Sequence, residues 1–154
     1  MKLIYRTAAA SGPAKPLPPD CRLKFINTGL DALGVMPALV ARFGIAEALK
    51  AFAKVLTSSR AYYAVLCGGK ILSDGWIMKG QCSAYKIEPD AHVIGPIWTG
   101  EAYRGRGLAS SALSSAVGYC KSQGASFVYI ETVTENEASQ RTIRAAGFDV
   151  IGLR

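Results

Sequence analysis

An apolar run that reads as a strand, His92–Thr99 (HVIGPIWT), is followed by Tyr103-Arg104-Gly105-Arg106-Gly107-Leu108-Ala109 and then by an amphipathic, helical pattern. Glycine weakens a helix start on propensity alone, so two glycines at this junction need another reason. A helix N-terminus leaves backbone N–H groups unpaired and carries partial positive charge. Glycines there let a bulky anion reach the backbone, and consecutive N–H groups form an anion-binding concavity. Arg104 and Arg106 add charge at the same place, which suits a diphosphate. No Gly-Lys-Ser/Thr follows, which excludes a P-loop. GRGLAS also lacks the third glycine of a dinucleotide fingerprint. On glycine spacing alone, an ordinary strand-to-helix turn fits equally well.

The pattern around this junction predicts an α+β (mixed α/β) fold. KLIYR and RLKFIN read as short strands flanking a proline-rich stretch, residues 8–20, that reads as irregular. Residues 29–56 turn helical, with Met36, Leu39, Val40 and Phe43 on one stripe, and Leu49, Phe52 and Leu56 on a second. Gly44 separates the two. AYYAVL, ILSDGWIM and HVIGPIWT read as strands parted by Gly-Gly and Glu-Pro-Asp turns. Leu108–Gln123 is the amphipathic helix, with Ser110, Ser111, Ser114 and Ser115 on its outward side and Gly124 as its stop. FVYIETV, a short helix over Ala138–Ala146 and FDVIGL complete the chain. One domain over residues 1–154 is expected: an N-terminal arm (1–20), a helical region (29–56) and a core (90–150).

Composition narrows the function classes. Half of the residues are hydrophobic and 19% are charged, which argues against extensive disorder. The net charge of +7 invites an anionic partner. The basic residues are scattered, without an aromatic-interleaved stripe, so nucleic acid is disfavoured and a phosphorylated small molecule fits better. Cys21, Cys67, Cys82 and Cys120 show neither C-x-x-C nor a His pair; reduced, buried thiols are expected, without metal. No run is long enough to span a bilayer, and no leader is evident, so a cytoplasmic location is the expectation.

Arg104-Gly105-Arg106-Gly107-Leu108-Ala109 resembles the R/Q-x-x-G-x-G/A motif of the GNAT superfamily, the acyl-CoA-dependent N-acetyltransferases. Asn136-Glu137-Ala138-Ser139 followed by Ala146-Gly147-Phe148 resembles the family's second signature, N-x-x-S/A…x-G-F. The resemblance covers residues 90–150 and implies a mostly antiparallel twisted sheet whose central strands splay apart between flanking helices. It implies that the N–H groups of Arg104, Gly105, Arg106, Gly107, Leu108 and Ala109 hold the pyrophosphate of acetyl-CoA, the cosubstrate. Ile97, Trp98 and Thr99 would pair with the pantetheine arm like an extra strand, and Asn136 would contact the same arm. Many relatives carry a Tyr as general acid four residues before the Gly of G-F; here that position is Ile143. Ser139 resembles a serine of the branch acting on ribosomal-protein N-termini, where a hydroxyl can serve the thiolate; a serine bonding locally in a first helical turn fits equally well.

Amide formation needs a neutral amine. Neutralising a lysine-like amine at pH 7 costs roughly 4–5 kcal/mol, an α-amino group only about 1 kcal/mol. Glu131 matches a proposed base of the ribosomal alanine acetyltransferases, and a carboxylate within an apolar strand is unusual unless it lines a cleft. His92, the sole histidine, lies on the strand where other members place a base. A strand N–H near Trp98 or Thr99 would stabilise the oxyanion. The acceptor pocket is expected beside residues 29–56, for a phosphorylated or sugar-linked amine or a peptide N-terminus. A retired acyl-CoA-binding module and a basic nucleic-acid-binding domain stay open as alternatives. The sequence ends after FDVIGL, where relatives have one more strand, so a bare sheet edge is expected, covered by the N-terminal arm or by a partner chain in a homodimer.

Overall fold

A computed structural model describes residues 1–7, 15–57 and 59–154; residues 8–14 of the proline-rich stretch lie outside it. In chain order the elements are β1 (Lys2–Thr7), β2 (Cys21–Ile26), α1 (Gly29–Gly34), α2 (Met36–Phe43), α3 (Ile45–Leu56), β3 (Arg60–Cys67) and β4 (Lys70–Lys79). There follow β5 (His92–Thr99), a short 3-10 turn (Glu101–Tyr103), α4 (Leu108–Ser122), β6 (Val128–Val133), α5 (Glu137–Ala145) and β7 (Asp149–Leu153). The strands form one mixed sheet in the order β2-β3-β4-β5-β6-β1-β7. All neighbours run antiparallel except β5 and β6. A parallel pair needs a crossover, and α4 supplies it.

The sheet edge does not end as the sequence suggests. β1 inserts between β6 and β7, pairing antiparallel with both, Lys2↔Val133 to Thr7↔Val128 on one side and Leu3↔Leu153 to Arg6↔Asp149 on the other. The N-terminal strand thus fills the place expected to be vacant, and the argument for a dimer from a missing strand falls away. The first twenty residues are therefore not all irregular. Lys2 and Arg154 close the pair by exchanging both backbone hydrogen bonds, at 2.8 and 2.9 Å.

Each face of the sheet has its own cover. α4 and α5 pack on one, where Tyr63, Val65, Ile94, Leu113, Val117, Ile130 and Ile143 form the main core. On the other face α1–α3 cover Tyr62, Ala64, Leu66 and Ile71. The connection between β4 and β5 lays Cys82, Tyr85 and Ile87 over Val93 and Tyr129. α3 departs from the sequence reading. It buries Ala48, Ala51 and Val55, whereas Leu49 and Leu56 stay more than half exposed. The alanine row gives the smaller side chains to the contact. Ser111 also turns inward: it is buried and its hydroxyl donates to the carbonyl of Lys15, so the described end of the proline-rich stretch lies against α4. Contrary to the expectation of four reduced thiols, Cys21 and Cys67 face each other on β2 and β3 and form a disulfide. They are 46 residues apart, and strand register alone brings them together. Cys82 and Cys120 are free.

Candidate active site

The site begins where β5 and β6 part. Their ladder holds only His92↔Val128 and Val93↔Tyr129. Beyond it, β5 bulges: Gly95 and Pro96 together stand opposite Trp76, between the Ile94–Ile77 and Ile97–Gly75 pairs. Proline has no N–H to offer a ladder, and a bulge bends its strand, so both features turn β5 away from β6. The far end of β5 stays bound to β4. Gly100 N–H donates to Leu72 O at 2.9 Å, and Ser73 Oγ donates to Trp98 O at 2.9 Å and pairs with Thr99 Oγ1. Backbone groups alternate sides along a strand, so Trp98 bonds towards β4 while Ile97 and Thr99 turn their main-chain groups into the gap. An extended ligand has a strand edge there to pair with. Thr99 O already accepts from Arg104 Nε at 3.2 Å.

The glycine junction closes the wide end of the gap. Gly105 and Gly107 have φ of 75° and 76°, and an added Cβ would meet nothing nearer than 3.9 Å. The requirement is therefore conformational: a left-handed backbone with open space beside it. Gly107 starts α4 without a side-chain cap. Ser111 is the first residue whose N–H bonds back into the helix, to Gly107 O. The N–H groups from Gly105 to Ser110 have no partner among the described residues, and all of these residues except Arg106 border one concavity. That concavity belongs to a cavity of about 430 Å³ running back between β5 and α5.

The cavity brings together most residues singled out from the sequence. Ile97, Trp98, Thr99, Arg104, Gly105, Gly107, Leu108, Ala109, Asn136 and Ser139 line it. Arg106 does not; its guanidinium sits over the Tyr103 ring and faces a second cavity with Lys70 and the Cys21–Cys67 disulfide. Asn136 caps α5, accepting from Ser139 N–H at 3.0 Å. Ser139 Oγ has no partner among the described residues, whereas Thr142, also lining the cavity, donates to Ala138 O at 3.0 Å. Ile143 is fully buried in the core and presents nothing to the cavity.

Glu131 and His92 part company. Glu131 lies two positions past the last β5–β6 pair, and by strand alternation it shares the α1–α3 face with Tyr129. Both its oxygens are engaged, by Lys2 Nζ and by Arg154 at 3.0 and 3.3 Å. Burial alone would raise its pKa; the hydrogen bonds and charges of Arg154 and Lys2 outweigh burial and hold it below the ordinary carboxylate value. His92 sits at the closed end of the gap, is 5% exposed and lines neither cavity described here. Both ring nitrogens are buried, without a partner in hydrogen-bond geometry among the described residues. Burial, reinforced by Lys79, lowers its pKa, so it is neutral at pH 7. Stability should therefore fall as pH drops below about 6.5, because the unfolded chain takes up a proton that the buried ring refuses. The slope is at most about 1.4 kcal/mol per pH unit and ends once pH passes below the depressed native value. His92→Phe should flatten urea-derived stabilities between about pH 7 and 5; an unchanged slope would show that another group carries it.

Sequence reasoning missed a second polar cluster, on the face that α1–α3 cover. Asp74, 4% exposed on β4, accepts from Arg42 Nε of α2 at 2.8 Å. The Arg42 guanidinium lies 3.4 Å above the Trp98 ring and 4.4 Å above that of Phe43. Burial raises the Asp74 pKa, against the opposing pull of Tyr62 and Arg42. The cluster fixes Trp98, hence the stretch of β5 that borders the gap. SDGW gave only a lone Asp in a strand, with no sign that α2 delivers its partner.

The chain is thus an α+β domain in which a helix start with unpaired N–H groups opens onto the gap between two parted strands. The sequence model of the Acetyltransferase (GNAT) family matches residues 59–148, and the chain belongs to that family. No curated protein matches it. Among solved structures, a GNAT-family acetyltransferase from Colwellia psychrerythraea superposes with a TM-score of 0.67 at 17% identity, covering 97% of this chain and 52% of its own. A GCN5-related N-acetyltransferase from Sphaerobacter thermophilus gives 0.67 at 18%, covering 97% and 48%. The present chain thus spans about half the length of these two proteins. AAC(6')-Iy, in complex with the bisubstrate analogue CoA-S-monomethyl-acetylneamine, gives 0.64 at 17%, covering 87% and 97%. At such identities the likeness is one of fold. No helix among the described residues is long and apolar enough to cross a membrane.

Proposed function

We propose that the chain transfers the acetyl group of acetyl-CoA directly to a primary amine. One observation carries this reading: a single cavity joins the unpaired N–H groups of Gly105–Ser110 to the gap bordered by Ile97, Thr99 and Asn136. The pyrophosphate sits on those N–H groups, with Arg104 beside it, and the pantetheine arm pairs with Ile97 and Thr99. This places the thioester towards the closed end of the gap, near Glu131. The amine enters from the α1–α3 face and attacks the thioester carbon. The carbonyl oxygen takes up negative charge, and Ile97 N–H, turned into the gap, is the donor placed to stabilise it. Glu131 receives the nitrogen's proton through water as the carbon–sulfur bond breaks. Ser139, whose hydroxyl has no partner among the described residues, donates a hydrogen bond to the departing thiolate, which takes its proton from solvent water, in place of the tyrosine that Ile143 cannot supply.

Because Lys2 and Arg154 keep Glu131 ionised throughout neutral pH, the acidic limb of kcat/KM should follow the acceptor's own amine. Glu131→Gln should lower kcat about 100-fold with a confirmed acceptor. Full activity at neutral pH would remove Glu131 from the proton path. Ile143 in the core favours one other reading, a module that binds acyl-CoA without turning it over. Thermal stabilisation by acetyl-CoA in low salt tests the shared premise, and thiol release across a panel of amines separates the two. Stabilisation without thiol release from any amine would favour the module.

A further inference from the structure

Glu131, Lys2 and Arg154 form one row across β6, β1 and β7. Ile4 pairs with Glu131, Lys2 is two residues from Ile4, and Arg154 exchanges backbone bonds with Lys2, so all three side chains project from the α1–α3 face. Two cationic side chains serve one carboxylate side chain in the row. Donors are left over: Arg154 has five N–H groups and Lys2 three, and Glu131 takes only some of them. The cation side chains are 40% and 39% exposed against 23% for Glu131, so the spare donors face the open side of the row. Beside them, the Tyr85 ring from the β4–β5 connection packs tilted against that of Tyr129 at 5.9 Å, with its hydroxyl buried.

We infer that this row binds the acceptor as a zwitterion: Glu131 faces the amine, and Arg154 and Lys2 hold an anionic group a few atoms away. The inference rests on the acetyltransferase reading and narrows its acceptor. An α-amino acid carboxylate and a phosphate monoester share the required chemistry, since guanidinium engages either with paired N–H donors. A peptide N-terminus carries a neutral amide in place of the α-carboxylate, so only one that begins with Asp or Glu offers an anion so close to its amine. A polycationic amine such as the neamine group carried by the AAC(6')-Iy ligand would meet two cationic side chains here.

The test uses matched acceptors that differ only in the anion: L-amino acids with their carboxamides, and phosphoethanolamine with ethanolamine. The acid of at least one pair should exceed its neutral counterpart in kcat/KM by about tenfold or more, the worth of a charged hydrogen bond. The amino acid and phosphoethanolamine arms distinguish carboxylate from phosphate. Arg154→Gln should bring that ratio towards one by raising KM for the anionic member, and Arg154→Lys should restore part of it. Neutral members turned over as well as their acids, or a ratio untouched by Arg154→Gln, would overturn the inference while leaving the acetyltransferase reading intact. Calorimetry of inorganic phosphate on the CoA-loaded wild type and on Arg154→Gln reads the anion site without turnover. Binding lost in the variant supports the site even if no amine in the panel is acetylated, an outcome that would instead count against the acetyltransferase reading. No phosphate binding to the wild type overturns the inference whatever the activity.

Discussion

Gly107→Val should weaken acetyl-CoA binding by at least about 100-fold, more than the loss of either cradle arginine. Residue 107 has φ of 76°, where a β-branched side chain is a genuine outlier and an L-residue costs roughly 1–2 kcal/mol. The chain can relieve that strain only by rotating the peptides on either side, which turns the N–H groups of Gly107 and Leu108 off the concavity. Each hydrogen bond to a charged group is worth about 1.5–3 kcal/mol, so losing two exceeds the ~2.7 kcal/mol of a 100-fold change. Arg104 and Arg106 are exposed, and an exposed charge contributes up to about 1 kcal/mol, so Arg104→Ala and Arg106→Ala should each cost less than about tenfold. Arg106→Ala should cost the less of the two, because its side chain faces the second cavity. Calorimetry on the three variants decides the order. Near-normal binding by Gly107→Val would mean that the backbone does not hold the anion.

Gly75→Ala should cost about 3 kcal/mol of stability and lower Tm by about 6–12 °C. An added methyl at residue 75 would stand 2.3 Å from Tyr63 Oη and 2.4 Å from its Cζ. Tyr63 is 2% exposed and packed in the main core, so the ring has no free direction in which to move. Gly75 also pairs with Ile97, which carries the clash straight to the edge of the gap. Removing the ring should remove the penalty: in a Tyr63→Leu background, Gly75→Ala should cost far less than in the wild type, a coupling that a double-mutant cycle measures directly. Equal costs in the two backgrounds would mean that Tyr63 is not what excludes the side chain.

The elements were legible where a local rule fixes them. HVIGPIWT is β5 residue for residue, and the glycines of YRGRGLA mark the start of α4 as helix-terminus physics requires. Gly44, with φ of 82°, divides α2 from α3 where its position between two apolar stripes suggested. Pairing was not legible. KLIYR reads as a strand, yet nothing local says that it runs between two strands from the far end of the chain. The same limit hid the Cys21–Cys67 disulfide and the Arg42–Asp74 pair, each made by sheet register or helix docking across tens of residues. Periodicity misled at α3, because either apolar stripe could pack and the alanine-bearing one does. Lone residues carried least: Glu131, a carboxylate in an apolar strand, is the stronger candidate for a base and the sole histidine the weaker, and neither the burial of His92 nor the Lys2 and Arg154 partners of Glu131 can be read from the chain.

A crystal structure with acetyl-CoA bound tests the central claim most directly. The pyrophosphate should accept hydrogen bonds from the N–H groups between Gly105 and Ser110, the pantetheine arm should pair with Ile97 and Thr99, and the thioester should lie in the gap on the Glu131 side. A coenzyme seated elsewhere, or no binding to the described cavity at saturating acetyl-CoA, would contradict the account.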